Sequence, residues 1–425
     1  MDFRTWVENE RNRGQVQVIT EPYSPYLAVS KKLIELDPHP VLFSNVHGMK
    51  VAGNIFCSRQ SFADCLQLPV DRFLPELSER LNTSSGQLAT TAEIYGEQEL
   101  AAVNLSQLPI LFHYAGDGGY YLTAAVWIVR DPEWGTNLSY HRMMILDAKR
   151  GSVRVVENRG LHQALLHSQG RAEVAICLGA APAVLLAASF SPPANVDELE
   201  LAARLMPIRL AKCKTVDLMV PADCEIVLEG HFTGESASEG PFVDITGTWD
   251  FVRQQPVVEI TRIAYRTDPI YHALVPGQSE HKTLMGMPKE LDIFKAVNEI
   301  CCCQDVRLTP GGCSWLHAII QIKKHNGDDG KKAITAAFEA HRSLKHCIVV
   351  DDDIDIQNSQ EVEWALATRF QATTDLLILE NQPSSSLDPS AVHAEGQKSR
   401  GAKMGIDATI KKTGHERQLF TRVTF

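Results

Sequence analysis

The chain has 425 residues, 44% hydrophobic and 22% charged, enough for two or three domains with sizeable cores. Its net charge of −11 excludes a general nucleic-acid binder, which needs a basic footprint. Ten cysteines without a Cys-x-x-Cys pair, and a mixed-charge start MDFRTWVENE with no apolar leader, predict a cytoplasmic protein with reduced thiols.

Residues 1–110 read as a small α/β unit, with helical periodicity from Phe62 to Leu81 and short strands such as HPVLFSNV. From 111 to 295 the pattern is strand-rich: YYLTAAVWIVRD, YHRMMILDAK, SVRVVEN, AEVAICLG, CEIVLEGHF and VVEITRIAYR, the density of a barrel or sandwich. The longest apolar run, Val174 to Phe190, is interrupted by Gly179 and Pro182. It reads as a buried strand, a turn and a short helix rather than a membrane span. VDELELAARLM follows as a helix with Asn195 or Asp197 as its cap. From 296 to 425 helices and strands alternate, predicting an α/β domain with a mostly parallel sheet. HNGDDGKK and NQPSSSLDPSAVHAEG are its flexible segments. The tail from Ser399, ending LFTRVTF, is apolar enough to dock on another subunit or domain.

Several residues could carry chemistry. In GTNLSYHRMMILD, Asn137 and Arg142 lie five apart at the head of a strand-like run, although Asn in a turn and Arg on a strand edge are everyday features. His162 in RGLHQALLHSQGR is a candidate ligand, with His167 an equally available rival and a structural role open to both. Glu198 stands in a first helical turn, where the macrodipole alone favours a carboxylate. Together Asn, His and Glu form an O/N/O set that suits a hard or borderline divalent ion rather than a thiolate zinc site. In EGPFVDITG, Glu239 and Asp244 flank a Gly-Pro-Phe turn, where a solvated surface turn is the bland alternative. The run Asp351, Asp352, Asp353 reads as a solvated turn at a strand end.

Taken in order, TNLSYHR, the His some twenty-five residues later, LAASFSPPANVDELE, EGPFVD and VVDDDID followed by WALATR resemble the UbiD family of reversible decarboxylases across nearly the whole chain. The resemblance implies a small N-terminal α/β unit, a central split β-barrel related to flavin reductases and a C-terminal α/β oligomerisation domain. It implies prenylated FMN, with Mn²⁺ on Asn137, His162 and Glu198 and a nearby K⁺. Ser139, Tyr140, His141, Arg142, Ser189 and Lys345 become candidate cofactor contacts. The implied catalytic network is Arg142, Glu239 and Asp244, with Glu239 the proton donor and Arg142 orienting the substrate carboxylate. Asp244 stands where the family often has Glu, one methylene longer.

SEHKTLMGMPKE is similar to the furan-2,5-dicarboxylate decarboxylase sub-group. There His281 and Lys289 would meet a second carboxylate, brought together by a turn at Gly286 and Pro288. The implied substrate is a (hetero)aromatic or α,β-unsaturated carboxylic acid, with a flavin prenyltransferase as cofactor supplier. A homo-oligomer, dimer or hexamer, is implied, with no nucleic acid and no membrane partner. The alternatives are an ordinary FMN-dependent reductase and a non-catalytic or partner-dependent subunit of a carboxylase complex.

Overall fold

Two long strands, Ile226–Glu239 and Arg253–Tyr265, lie antiparallel and form the spine of the first of two units. The β-branched side chains of Val258, Ile260 and Ile263 are buried in the core against this ladder. Its register shifts at Glu229/Gly230, where a Cβ on Gly230 would stand 2.3 Å from the Glu259 carbonyl oxygen, so only glycine permits the close approach. In this computed structural model all residues are described except 84, 92–95, 195, 394–396, 412–417, 422 and 424–425. The units are residues 1–73 with 79–284, and residues 74–78 with 285–425.

In the first unit the main sheet runs Tyr121–Leu122, Met143–Ile145, Arg150–Val153, Arg253–Tyr265, Ile226–Glu239, Glu173–Leu178, Val126–Asp131, Gly135–Tyr140, with Gln98–Glu99 added beside Arg253–Tyr265. Every pairing is antiparallel. Among the described residues nothing joins its two end strands, which leaves the sheet split rather than closed. Trp127, Ile176, Leu228 and Val258 are buried in its core. The apolar run becomes the strand Glu173–Leu178 and the fully buried helix Pro182–Ala187. Asp197 caps the helix Glu198–Leu205 through the Leu199 N–H, and Asn195 lies outside the described residues.

A smaller sheet orders Gln17–Ile19, Val41–Val46, Met49–Gly53 and Ile270–Ala273. Its last strand arrives after the main sheet, so the N-terminal region is completed by distant sequence. The periodicity from Phe62 to Leu81 is two helices, Arg59–Leu66 and Phe73–Thr83, because Pro69 disfavours helical backbone at Leu68.

The second unit orders its sheet Cys302–Leu308, His317–Lys323, His346–Asp351, Arg400–Asp407, Leu376–Pro383. Its two inner pairings are parallel and its two outer ones antiparallel, so the sheet is mixed rather than mostly parallel. Among the described residues no helix separates Leu376–Pro383 from Arg400–Asp407, and strands joined without a crossover helix pair antiparallel. The expected docking tail therefore begins as an inner strand of this unit's own sheet. Asp352 and Asp353 are exposed at a turn as expected, whereas Asp351 is buried and only 1% exposed. Arg369 bonds Asp351 at 3.3 Å and clasps Asp353 at 2.8 and 2.6 Å, which ties the two halves of VVDDDID and WALATR together. All ten cysteines are free thiols. Among the described residues no helix is long and apolar enough to cross a membrane.

Candidate active site

The main sheet delivers Arg142 just past the end of Gly135–Tyr140, and the end of Ile226–Glu239 delivers Glu239 beside it. Arg142 Nε donates to Glu239 Oε1 at 2.8 Å and Nη2 to Oε2 at 3.1 Å. Nη1 donates to Asp244 Oδ2 at 3.0 Å. The three network residues expected from the sequence thus meet. Glu239 is fully buried, while the Asp244 side chain is 16% exposed. The turn between the acids is shaped by Gly240, whose φ of +101° lies in the left-handed region, and Phe242 lies under the guanidinium at 4.3 Å.

Sequence reasoning missed a third acid on the same arginine: Arg142 Nη2 donates to Asp250 Oδ2 at 2.8 Å. Asp250 lies on a two-stranded hairpin, Phe242–Val243 against Trp249–Asp250, where it faces Phe242. Its other oxygen accepts from Arg253 Nη1 at 2.7 Å and the Phe251 N–H at 3.0 Å. The hairpin neighbours Trp249, Phe251 and Val252 are 49, 67 and 55% exposed. Burial alone would weaken the Arg142 cation, but its bonds to Glu239 and the charges of Asp244 and Asp250 hold it above the ordinary range. Burial opposes the Asp250 charge too, yet Arg142 and Arg253 hold that carboxyl below its usual range. Nearby, burial pushes the Asp117 carboxyl up to about 6, despite bonds from the Tyr114 and His113 N–H groups.

Asn137 and Glu198 also meet, with Asn137 Nδ2 donating to Glu198 Oε1 at 3.3 Å and the Leu138 N–H to Oε2 at 2.9 Å. The helix Gly160–His167 starts against them: a Cβ on Gly160 would stand 2.3 Å from Asn137 Nδ2. His162 is the third residue of that helix and half-buried. Its rival His167 is committed elsewhere, 2.9 Å from Asp131. His141 is buried, which pushes its imidazole down to about 4 and keeps it neutral. Its Nδ1 donates to the Arg154 carbonyl at 3.0 Å, so Nε2 accepts from the Ser139 hydroxyl at 2.9 Å. That hydroxyl has one proton for two acceptors, the second being Asn137 Oδ1 at 3.2 Å. One of the two acceptors, His141 Nε2 or Asn137 Oδ1, is therefore short of a donor. Burial pushes the Glu198 carboxyl up to about 7, and among the described residues no cationic side chain bonds it. A buried acid beside an amide oxygen is an oxygen donor pair that suits a hard cation, while among the described residues no group of three or more His, Cys, Asp or Glu side chains gathers to hold one.

The Tyr140 hydroxyl is buried without a hydrogen-bond partner among the described residues. Ser189 Oγ donates to the Leu186 carbonyl at 2.6 Å. Lys345, in the second unit, is held by Asp388 at 2.9 Å and by Ser390. His281 Nδ1 accepts from the Gly277 N–H at 3.0 Å, and burial lowers its basicity against a counteracting pull from Asp244. The turn expected between His281 and Lys289 is absent. One helix runs Ser279–Asn298 with Pro288 inside it, and Lys289 bonds Asp292 at 2.7 Å. Close packing overrides the breakers there: a Cβ on Gly286 would stand 2.6 Å from the Ser314 carbonyl oxygen.

Three family models match in series. They are the N-terminal, Rift-related and C-terminal domains of the 3-octaprenyl-4-hydroxybenzoate carboxy-lyase group, at residues 7–81, 87–279 and 282–408. The chain is 40% identical over 400 residues to the anhydromevalonate phosphate decarboxylase of Methanocaldococcus jannaschii, covering 92% of this chain and 94% of that protein. It is 40% identical over 433 residues to the protein of the same name from Methanosarcina mazei, covering 99% of each. These relatives point to that name rather than to the furan-2,5-dicarboxylate sub-group. The UbiD-class enzyme HmfF of Pelotomaculum thermopropionicum, solved with FMN, superposes with a TM-score of 0.94 at 34% identity, covering 100% of this chain and 97% of that one. At 21% identity the 3,4-dihydroxybenzoic acid decarboxylase of Klebsiella pneumoniae, TM-score 0.90, shares the fold, with 100% of this chain and 97% of that one covered.

Proposed function

The chain belongs to the UbiD family of carboxy-lyases, and from that premise we propose that it decarboxylates an α,β-unsaturated acid bearing a phosphate ester, with prenylated FMN as cofactor. The name its relatives carry describes such a compound: a dehydrated hydroxy acid, hence unsaturated beside the carboxylate, with a phosphate at a distance. The observation that carries the reading is the clasp of Arg142 by Glu239 and Asp244.

When bound, prenylated FMN supplies the sink for the electron pair that carbon dioxide leaves behind. Asn137, His162 and Glu198 would hold Mn²⁺ and, with a neighbouring K⁺, the flavin phosphate. Ser139, Tyr140, His141, Ser189 and Lys345 are the proposed flavin contacts; Lys345 must release Asp388 to serve. The chain's own residues do the rest. Arg142 has five N–H donors, four of them bonded to carboxylates. The fifth, on Nη1, has no partner among the described residues and receives the substrate carboxylate. Glu239 returns a proton to the carbon that loses carbon dioxide. Both its oxygens accept from Arg142 in the free site, so it must take up a proton and release one of those bonds first. A second reading rests on exposure: Asp244 has an open edge and a single bond to Arg142, which suits it to meet the substrate while Glu239 anchors the arginine. His281 and Lys289 are the proposed contacts to the second anionic group.

We also propose a cytoplasmic homo-oligomer supplied by a flavin prenyltransferase. Protein made with and without that enzyme separates the rivals. Turnover of anhydromevalonate phosphate by the purified chain, with a released cofactor heavier than FMN, supports the proposal. Activity with unmodified FMN supports a reductase. A loaded chain that is inert alone but active with a partner supports a carboxylase subunit.

A further inference from the structure

Asp250 is 8% exposed and bonds two arginines through different oxygens, Arg142 at 2.8 Å and Arg253 at 2.7 Å. A third guanidinium, Arg154, stands 3.9 Å from it. Glu239 fixes the plane of the Arg142 guanidinium along its Nε–Nη2 edge, and Asp244 holds one hydrogen of Nη1. Neither restrains the second hydrogen of Nη2. Asp250 takes it from the hairpin side, so the guanidinium is pinned at three points and one N–H, on Nη1, is left over.

We infer that Asp250 is a positioning residue, which holds Arg142 so that its single spare N–H points at the substrate carboxylate. The inference rests on the reading of Arg142 as the carboxylate-binding group. Without Asp250 the Nη2 hydrogen must seek another acceptor, and once Glu239 takes up its proton and releases one of its two bonds the guanidinium is left held by Asp244 alone on its far edge and can turn away from the incoming carboxylate. Arg253 holds Asp250 in turn, three residues along the same chain segment. Arg154 is less committed: burial, and then repulsion from Arg253, lower its basicity, and its Nη1 donates to the Val155 carbonyl at 2.8 Å.

The test uses cofactor-loaded enzyme and two non-reacting ligands: the saturated analogue of the proposed substrate and its carboxamide, which lacks the charge. Asp250→Asn keeps the shape and removes the anion. Binding of the saturated acid, measured by calorimetry, is expected to weaken about ten-fold, the loss of one well-directed charged hydrogen bond. Carboxamide binding should change less than two-fold. Asp250→Glu restores the charge one methylene away and should recover part of the difference. Arg253→Gln, which loosens Asp250 without removing it, should move acid binding in the same direction by about three-fold and serves if Asp250→Asn does not fold. Equal effects on acid and carboxamide, or none on either, overturn the role of Asp250. Arg142→Met separates the two ideas. If that variant still prefers acid to carboxamide, the reading of Arg142 itself fails. If it loses the preference while Asp250→Asn keeps it, only the inference about Asp250 fails.

Discussion

Glu239→Gln is the substitution that most directly tests the network. The glutamine keeps the length and shape of the side chain but can present one oxygen, not two, to Arg142. Its amide oxygen can still accept from Nε, replacing the 2.8 Å bond, while its NH₂ group then faces the Nη2 donor that lies 3.1 Å from Oε2. One charge-assisted bond is lost, about 1.5–3 kcal/mol, and a donor is set against a donor in a fully buried site. Two further carboxylates remain on Arg142, so the guanidinium stays paired and total loss of folding is not expected. Unfolding by urea should show about 2–4 kcal/mol of destabilisation. If Glu239 supplies the proton, turnover should fall by about two to four orders of magnitude, and exchange of deuterium from D₂O into the product position should fall with it. Flavin content should be unchanged, since Glu239 is not a proposed cofactor contact. Wild-type turnover in a folded, flavin-loaded variant would remove Glu239 from the proton path. A large loss in Asp244→Asn beside it would pass the role to Asp244.

Asp117→Asn should raise stability at neutral pH. The folded carboxyl is pushed up to about 6 by burial, so from pH 4 to 6 the folded state holds a proton that the unfolded state has lost, and stability falls as pH rises. The variant should lack about 3 kcal/mol of that fall, and melting curves at pH 4 and 8 that move in parallel in both proteins would refute it. Mn²⁺ binding to the flavin-free protein should weaken below pH 7 and release protons there, because the Glu198 carboxyl, pushed up to about 7, must ionise to bind. Glu198→Gln should abolish the proton release seen by calorimetry in two buffers; unchanged release would place the metal elsewhere. Lys289→Ala should raise KM about ten-fold or more for an acid with a second anionic group and leave a simple monocarboxylate nearly unaffected. Equal changes for both would mean that Lys289 serves only its helix, through Asp292.

What the sequence could reveal depended on how far each relation reaches along the chain. Glu239 and Asp244 are separated by one tight turn, so their proximity is legible in EGPFVD itself. Arg142 joins them from 97 and 102 residues away, and only the family pattern links those positions. Asp250 was missed because no motif marks it. Its place depends on the hairpin register that sets it opposite Phe242, although the Thr-Gly-Thr stretch before Trp249 was a usable turn signal. The break expected at Gly286 and Pro288 follows local propensity, which close packing on Ser314 overrides. Of the run Asp351 to Asp353 only Asp351 departs from the solvated reading, because its counter-charge, Arg369, lies on a later helix.

The hairpin Phe242–Asp250 has two faces. The alternation of an extended chain that turns Asp250 onto Arg142 sends Trp249 and Phe251 to solvent. Whatever comes to cover those rings is therefore one peptide unit away from an acid of the network. Under the proposed role of Asp250, a contact made there would bear on the alignment of Arg142 through the Asp250 bond to Nη2. The outer surface of the hairpin is in that sense a handle on the proposed carboxylate-binding group. Random substitution at Trp249, Phe251 and Val252 is the most economical library for tuning the rate while leaving every charged group in place.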